Sequence, residues 1–150
     1  MELSAFVRTI ASVLTGLGAV LIVHRIKQNS RQFRRDFEDE LTREYRELTK
    51  EMPVEMLLDE SKPLTESELN LLYNYVDLTN EQVWLRREGR VSRETWLNWR
   101  DGIRSNFRRE NFRRGWAVIY WRTGEGTFED LATFFERDSP GDPYDPYQTA

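Results

Sequence analysis

An uncharged apolar run near the amino terminus constrains this chain more than any other feature. Residues 9–23 read TIASVLTGLGAVLIV, and residues 3–7 extend the run, with Arg8 as its one interruption. A helix that crosses the hydrocarbon core of a bilayer needs about 20 mostly apolar residues, so the run is just long enough. Arg8 lies one turn from its end, where the guanidinium can reach the headgroups. The sequence therefore predicts a single membrane-spanning helix at residues 4–24.

Two other interpretations of this run remain open. A cleaved signal peptide carries positive charge before its apolar core and a small-residue cleavage site after it. Here Glu2 precedes the run, whereas His24 and Arg25 follow it, so the charges favour a retained anchor. A buried helix of a soluble domain is the second alternative, because the run is short and contains serine and threonine.

The charges that flank the run predict its orientation. Arg8 alone precedes it, whereas five basic residues follow it closely: Arg25, Lys27, Arg31, Arg34 and Arg35. Loops rich in lysine and arginine stay in the cytoplasm, so we expect the amino terminus outside and the carboxy-terminal domain inside.

Small residues recur at close spacing within the predicted anchor. Ser12 and Gly16 are four residues apart, and Thr15 and Ala19 repeat this spacing. Faces of the small-xxx-small type let a second helix approach closely in a membrane. The spacing predicts that these four residues contact another transmembrane subunit.

An apolar stripe with helical spacing continues beyond the anchor. Its members are Ile26, Phe33, Phe37, Leu41, Tyr45, Leu48 and Met52. This period predicts an amphipathic connecting helix over residues 25–52, which Pro53 ends. An acidic linker, residues 53–64, follows, and its short piece VEMLL can form one turn that fills an apolar groove.

The next segment, residues 65–137, carries clear signals of helix starts and stops. Thr65 with Glu68 three residues later is a capping box. Ser92 begins a second helix, and the polar residues Asn106, Arg108 and Arg109 suggest a bend. Gly89 and Gly124 are the expected helix ends, and Thr127 is the expected start of the last helix. The prolines of residues 138–150 predict a disordered or extended tail. The fold class is thus all-α, a transmembrane helix continuing into the amphipathic helix, followed by a small bundle of three to four helices.

Residues 72–137 also resemble a known family. The pattern comprises an aromatic-rich helix with a mid-helix acid at 75–81, a glycine turn at 89–91, a tryptophan-bearing helix at 96–99 and a late Phe-Glu-x-Leu at 128–131. These features are similar to an uncharacterised family of short bacterial membrane-anchored helical proteins. The resemblance implies a fold of packed helices and no known activity. The anchor and its flanking charges predict the inner (cytoplasmic) membrane as the location.

Residue usage excludes several kinds of chemistry. The sequence has no cysteine, so thiolate catalysis, disulfides and cysteine-ligated metals are impossible. Its one histidine, His24, lies at the predicted membrane boundary, where a haem or chlorophyll-type ligand role competes with a plain interfacial role. The carboxylates Asp77 and Glu81 share a helix face without a nucleophile nearby, which favours a structural ion pair. We therefore expect no enzyme activity, no cofactor and no metal.

Arginines and tryptophans suggest a binding surface instead. Eleven arginines between residues 86 and 122 stand against four carboxylates, although the whole chain carries a net charge of -4. Acidic segments cancel the positive charge that nucleic-acid binding requires, so anionic headgroups or an acidic protein face are better partners. The candidate partner-binding residues of the domain are Trp84, Arg108, Arg109, Arg113, Arg114 and Trp121.

These observations predict an accessory, non-enzymatic interaction subunit of a larger membrane protein complex. The alternative is a membrane-anchored homodimeric sensor or regulatory module, in which the stripe Phe33–Phe37–Leu41 forms the dimer interface. The two hypotheses differ in whether a second protein or a second copy occupies that stripe.

Overall fold

A computed structural model of the chain describes residues 2–58, 63–124 and 126–136, with side chains described at Arg25 and from Lys27 onward. Every regular element in these ranges is an α-helix, so the predicted all-α class is confirmed. In chain order the helices are α1 (Glu2–Glu51), α2 (Val54–Leu57), α3 (Glu66–Arg87), α4 (Arg93–Phe107), α5 (Glu110–Thr123) and α6 (Glu129–Glu136).

The chain divides between Phe37 and Glu38 into two compact units. The first unit has a helical backbone from Glu2 onward, and Phe33 in it is 73% exposed. The side chains of the predicted anchor, including Ser12, Thr15, Gly16, Ala19 and His24, lie outside the described residues, as does the predicted tail 138–150. No helix in the part that the structure describes has both the length and the apolar character to cross a membrane.

The second unit begins inside α1, so the carboxy-terminal part of the predicted connecting helix 25–52 belongs to it. Leu41 and Met52 are 5% and 4% exposed, because they pack into the core of this unit. After Pro53, the single turn α2 buries Met56, whereas Val54 and Leu58 point outward. The turn predicted within the sequence VEMLL is therefore present, and its Met56 side chain packs into the core.

Helix α3 is the central element of the second unit, since it packs against α4, α5 and α6. Leu72, Tyr75 and Val83 on it are fully buried, as are other residues around its circumference. The predicted capping box is confirmed at its start, where the Thr65 hydroxyl accepts a hydrogen bond from the Glu68 amide. At its end Gly89 adopts a φ of 68°, which lets the Arg90 amide bond back to the Leu85 carbonyl.

The amino terminus of α4 is tied to α1 by a buried carboxylate. Ser92 caps the helix as predicted, its hydroxyl accepting from the Thr95 amide. The side chain of Glu38, only 6% exposed, accepts hydrogen bonds from the Ser92 amide at 2.6 Å and the Thr95 hydroxyl at 2.6 Å. Glu38 lies among charged residues in the sequence and is there indistinguishable from the solvated face. Its burial shows that α1 has a second side that faces the core.

Aromatic rings fill the space between the helices. The Tyr75 and Phe112 rings meet edge-on with centroids 5.3 Å apart, and Trp96 meets Phe134 in the same way at 5.8 Å. Phe107 lies 4.7 Å from Phe135. Such edge-to-face pairs add to the stabilisation from buried apolar area. The Tyr75–Phe107 and Phe134–Phe135 pairs connect these contacts, so aromatic residues of α3, α4, α5 and α6 form one cluster.

The start of α6 differs from the prediction. Thr127 does not cap the helix, because its hydroxyl donates to the Thr123 carbonyl, and α6 begins at Glu129. The side-chain oxygen of Asn80 on α3 instead accepts a hydrogen bond from the Leu131 amide at 3.0 Å. A residue from a neighbouring helix thus satisfies an amide that the local sequence leaves open.

We expect Asn80→Ala to lower the free energy of unfolding by about 1 kcal/mol, the usual cost of losing a cap. Urea unfolding followed by circular dichroism measures this change. Thr127→Ala is the matched control, and its effect should stay within about 0.5 kcal/mol, because the hydroxyl is exposed. An equal loss in both variants would contradict the cap assigned to Asn80.

Candidate functional site

The outward side of α5 combines cations with an exposed indole. Arg113, Arg114, Ala117, Val118 and Trp121 share this side through spacings of three, four and seven residues, and they are called the α5 face below. Trp121 is 83% exposed and Val118 is 39% exposed. An exposed tryptophan beside arginine has the composition of an interaction hot spot.

The electrostatics of the α5 face are set by its two arginines. Arg113 forms an ion pair with Glu110 one turn earlier, and both side chains remain largely in solvent. Arg114 is exposed and forms no ion pair with any residue in the described ranges. The face therefore carries net positive charge in a protein whose formal charge is -4.

The other predicted partner-binding residues of the domain differ in exposure and in their contacts. Trp84 is half-buried on α3, with the Arg90 guanidinium 5.9 Å from its ring centroid. Arg109 is also half-buried, and it donates to the Asn106 side-chain oxygen at 2.6 Å. Arg109 thus supports the break between α4 and α5. Arg108 is exposed beside Phe135 at a shallow cavity of about 300 Å³.

Carboxylates line a groove between α1 and α3. Asp77 and Glu81 of α3 face Glu44, Glu47 and Glu51 of α1 across a volume of about 340 Å³. The predicted ion pair of Asp77 with an arginine of the later helices is absent among the described residues. A hydrogen bond from Lys50 at 2.7 Å lowers the pKa of Glu47. No cluster of ligand residues suited to a metal ion occurs in the described ranges.

A cavity of about 260 Å³ lies between α1, α3 and α4. Its lining comprises Tyr45, Tyr75, Gln82, Asn98, Trp99, Gly102 and Ile103. Three of these seven residues are aromatic, and none of the described residues that line the cavity is charged. This cavity could not be predicted from the sequence, because tyrosine and tryptophan at helical spacing indicate an ordinary core.

Hydrogen bonds hold the polar wall of this cavity in place. The Asn106 amide donates to the Tyr75 hydroxyl at 2.8 Å and to the Tyr45 hydroxyl at 3.5 Å. Burial raises the pKa of Tyr75 well above its ordinary range, so the phenol stays neutral near pH 7. The indole of Trp99 donates to the Thr42 hydroxyl at 3.3 Å. The cavity therefore has a fixed and uncharged wall.

Comparison with known proteins adds no relative to this description. No family model, no curated protein and no solved structure matches the chain. The resemblance of residues 72–137 to an uncharacterised bacterial family stays a prediction. The function is therefore inferred from the surfaces and the cavity of the protein itself.

Proposed function

We propose that this chain is a membrane-tethered, non-enzymatic binding subunit whose α5 face docks on an acidic, partly apolar surface of a membrane protein complex. The observation that carries the proposal is Trp121, which leaves 83% of its surface in solvent beside Arg114 and Val118. Burying an indole against a partner gives a large hydrophobic gain, and the neighbouring guanidinium supplies orientation.

Charge complementarity supports an acidic partner for the α5 face. Glu110 pairs with Arg113, and Arg114 forms no ion pair among the described residues. A carboxylate on the partner can therefore pair with Arg114 without breaking an existing ion pair. An apolar groove beside that carboxylate would accept Trp121 and Val118. The long arginine stems can lie along the same apolar surface.

The apolar run at residues 4–24 supplies the tether in this proposal. Its small residues Ser12, Thr15, Gly16 and Ala19 would contact a helix of the same complex. A tether raises the local concentration of the α5 face near its partner, so that a modest surface suffices for stable association. The domain would lie on the cytoplasmic side, because basic residues follow the run.

The test is co-purification of the full-length chain in mild detergent, with variants of the α5 face. We expect Trp121→Ala and Arg114→Glu each to weaken retention of the partner by at least about tenfold, the effect of losing a hot-spot residue. Their free energies of unfolding should change by less than about 0.5 kcal/mol, because both side chains are exposed.

Arg46→Glu is the matched control, since it makes the same charge change at an exposed position of α1. Equal partner retention by all three variants would overturn the role of the α5 face. Binding to vesicles of anionic lipid that is lost in Arg114→Glu, with no protein retained, would replace the partner protein by a membrane surface.

The homodimeric sensor remains the second candidate, carried by Phe33 at 73% exposure. Its predicted stripe needs one correction, because Leu41 is buried in the core of the second unit and is not available to another copy. Since the sequence has no cysteine, Phe33→Cys gives a single reactive site. Disulfide-linked homodimers of this variant in membranes would favour the sensor, and their absence would favour the binding subunit.

A further inference from the structure

The cavity between α1, α3 and α4 contains a polar side chain that the fold leaves without a partner. Gln82 is only 2% exposed and lines the cavity, yet its carboxamide forms no hydrogen bond within the described part of the chain. Its polar atoms are not among the fully buried side-chain atoms that lack a partner, so the carboxamide is accessible from the cavity. An amide in this position can offer both a donor and an acceptor to a molecule in the cavity.

A glycine in the middle of α4 provides the second observation. A Cβ atom at Gly102 would meet no atom within 4 Å, so the packing of the protein does not require glycine there. Glycine inside a helix costs stability relative to alanine. Gly102 nevertheless lines the cavity, and any larger side chain would narrow it. The position is explained if something other than protein occupies the space.

The remaining lining defines the chemistry of an occupant. Trp99 and Tyr45 supply aromatic surfaces, and Ile103 adds an aliphatic one. The Tyr45 and Tyr75 hydroxyls accept from Asn106, so their own protons remain available to a ligand. The absence of charged residues from the lining favours a neutral molecule. The volume of about 260 Å³ lies just below the range usual for drug-sized ligands, which limits the occupant to a small one.

We propose that this cavity binds a small, neutral, planar heterocycle whose edge carries an adjacent donor and acceptor. Its edge pairs with the Gln82 carboxamide, and its faces lie against the Trp99 and Tyr45 rings. The exposed side chain of Asn98 lies on the same lining and marks the solvent side of the site. The site is distinct from the α5 face, so ligand binding and partner docking can be measured separately.

Titration of the full-length protein with adenine, uracil and nicotinamide tests this proposal by calorimetry and by tryptophan fluorescence. We expect at least one of these probes to bind, with toluene as the apolar comparison. Gln82→Leu should weaken binding by at least about tenfold, because it removes the amide at similar volume. Gly102→Leu should abolish binding by filling the cavity, and Gly102→Ala should retain most of it.

Several outcomes would overturn the proposal. One is failure of all three heterocycles to bind at about 1 mM, which would leave the cavity as a water-filled packing defect. Another is equal binding to wild type and Gly102→Leu, which would place the ligand elsewhere. Tight binding of toluene with none of the heterocycles would assign the cavity to apolar molecules. Circular dichroism of each variant establishes that it folds, and the Gln82→Leu result remains decisive if Gly102→Leu unfolds.

Discussion

Replacing Glu38 by alanine should lower the free energy of unfolding by about 2–4 kcal/mol, the range for a buried charged acceptor with several donors. Its carboxylate accepts from the Ser92 amide at 2.6 Å, the Ser92 hydroxyl at 3.1 Å and the Thr95 hydroxyl at 2.6 Å. Alanine would leave the Ser92 amide and the Thr95 hydroxyl without this acceptor, whereas the Ser92 hydroxyl also lies 3.0 Å from the Thr95 hydroxyl. The helix dipole adds to the effect, because the carboxylate lies at the amino terminus of α4.

Urea unfolding followed by circular dichroism measures this loss, and two variants serve as controls. Glu40→Ala removes the same charge from an exposed side of α1, and we expect a change below about 0.5 kcal/mol. Glu38→Gln keeps one acceptor oxygen and should lose about half as much stability as alanine. Equal unfolding energies for Glu38→Ala and Glu40→Ala would contradict a structural role for the Glu38 carboxylate.

Local signals made much of this fold predictable. Pro53 ends α1, the Thr65–Glu68 capping box begins α3, Gly89 ends it, and Ser92 begins α4. Each of these signals acts through atoms within a few residues of itself, so the sequence around it contains the necessary information. The same holds for the core faces of α4 and α6, whose apolar residues follow the helical period.

Contacts between distant residues could not be predicted in this way. Glu38 bonds to a residue 54 positions later, and Asn80 caps a helix through an amide 51 positions later. In sequence both are ordinary polar residues of a helix, and only the packing of α3 and α1 against their neighbours gives them their roles. The unpaired Gln82 amide likewise becomes visible only when three helices enclose it.

The predicted binding residues also show which features follow from the sequence and which require the structure. Trp121 is one of the predicted partner-binding residues, and 83% of its surface is exposed. Trp84 is another of them, but it is half-buried, with the Arg90 guanidinium 5.9 Å from its ring centroid. Composition therefore located the arginine- and tryptophan-rich region, whereas geometry selected the α5 face within it.

Gly115→Ala should destabilise the protein by about 1–3 kcal/mol, the usual cost of overpacking a core. A Cβ atom at Gly115 would lie 2.0 Å from Leu72 Cδ2 and 3.0 Å from Leu64 Cδ1. Leu72 of α3 is fully buried where α3 packs against α5, so its side chain has little room to move away. Alanine is a better helix former than glycine by about 0.5–1 kcal/mol. The expected destabilisation is the net value, after this gain is subtracted from the cost of overpacking.

Gly102→Ala provides the matched control for this prediction, because both glycines lie inside helices and only one is crowded. With no atom within 4 Å of its Cβ, Gly102→Ala should raise stability by about 0.5–1 kcal/mol, opposite in sign to Gly115→Ala. Urea unfolding of both variants measures the difference. A double variant with Leu72→Ala should lose less stability than the sum of its single changes, because the smaller side chain relieves the clash. An equal gain in stability from both substitutions would contradict the close approach of α3 to α5 at Gly115.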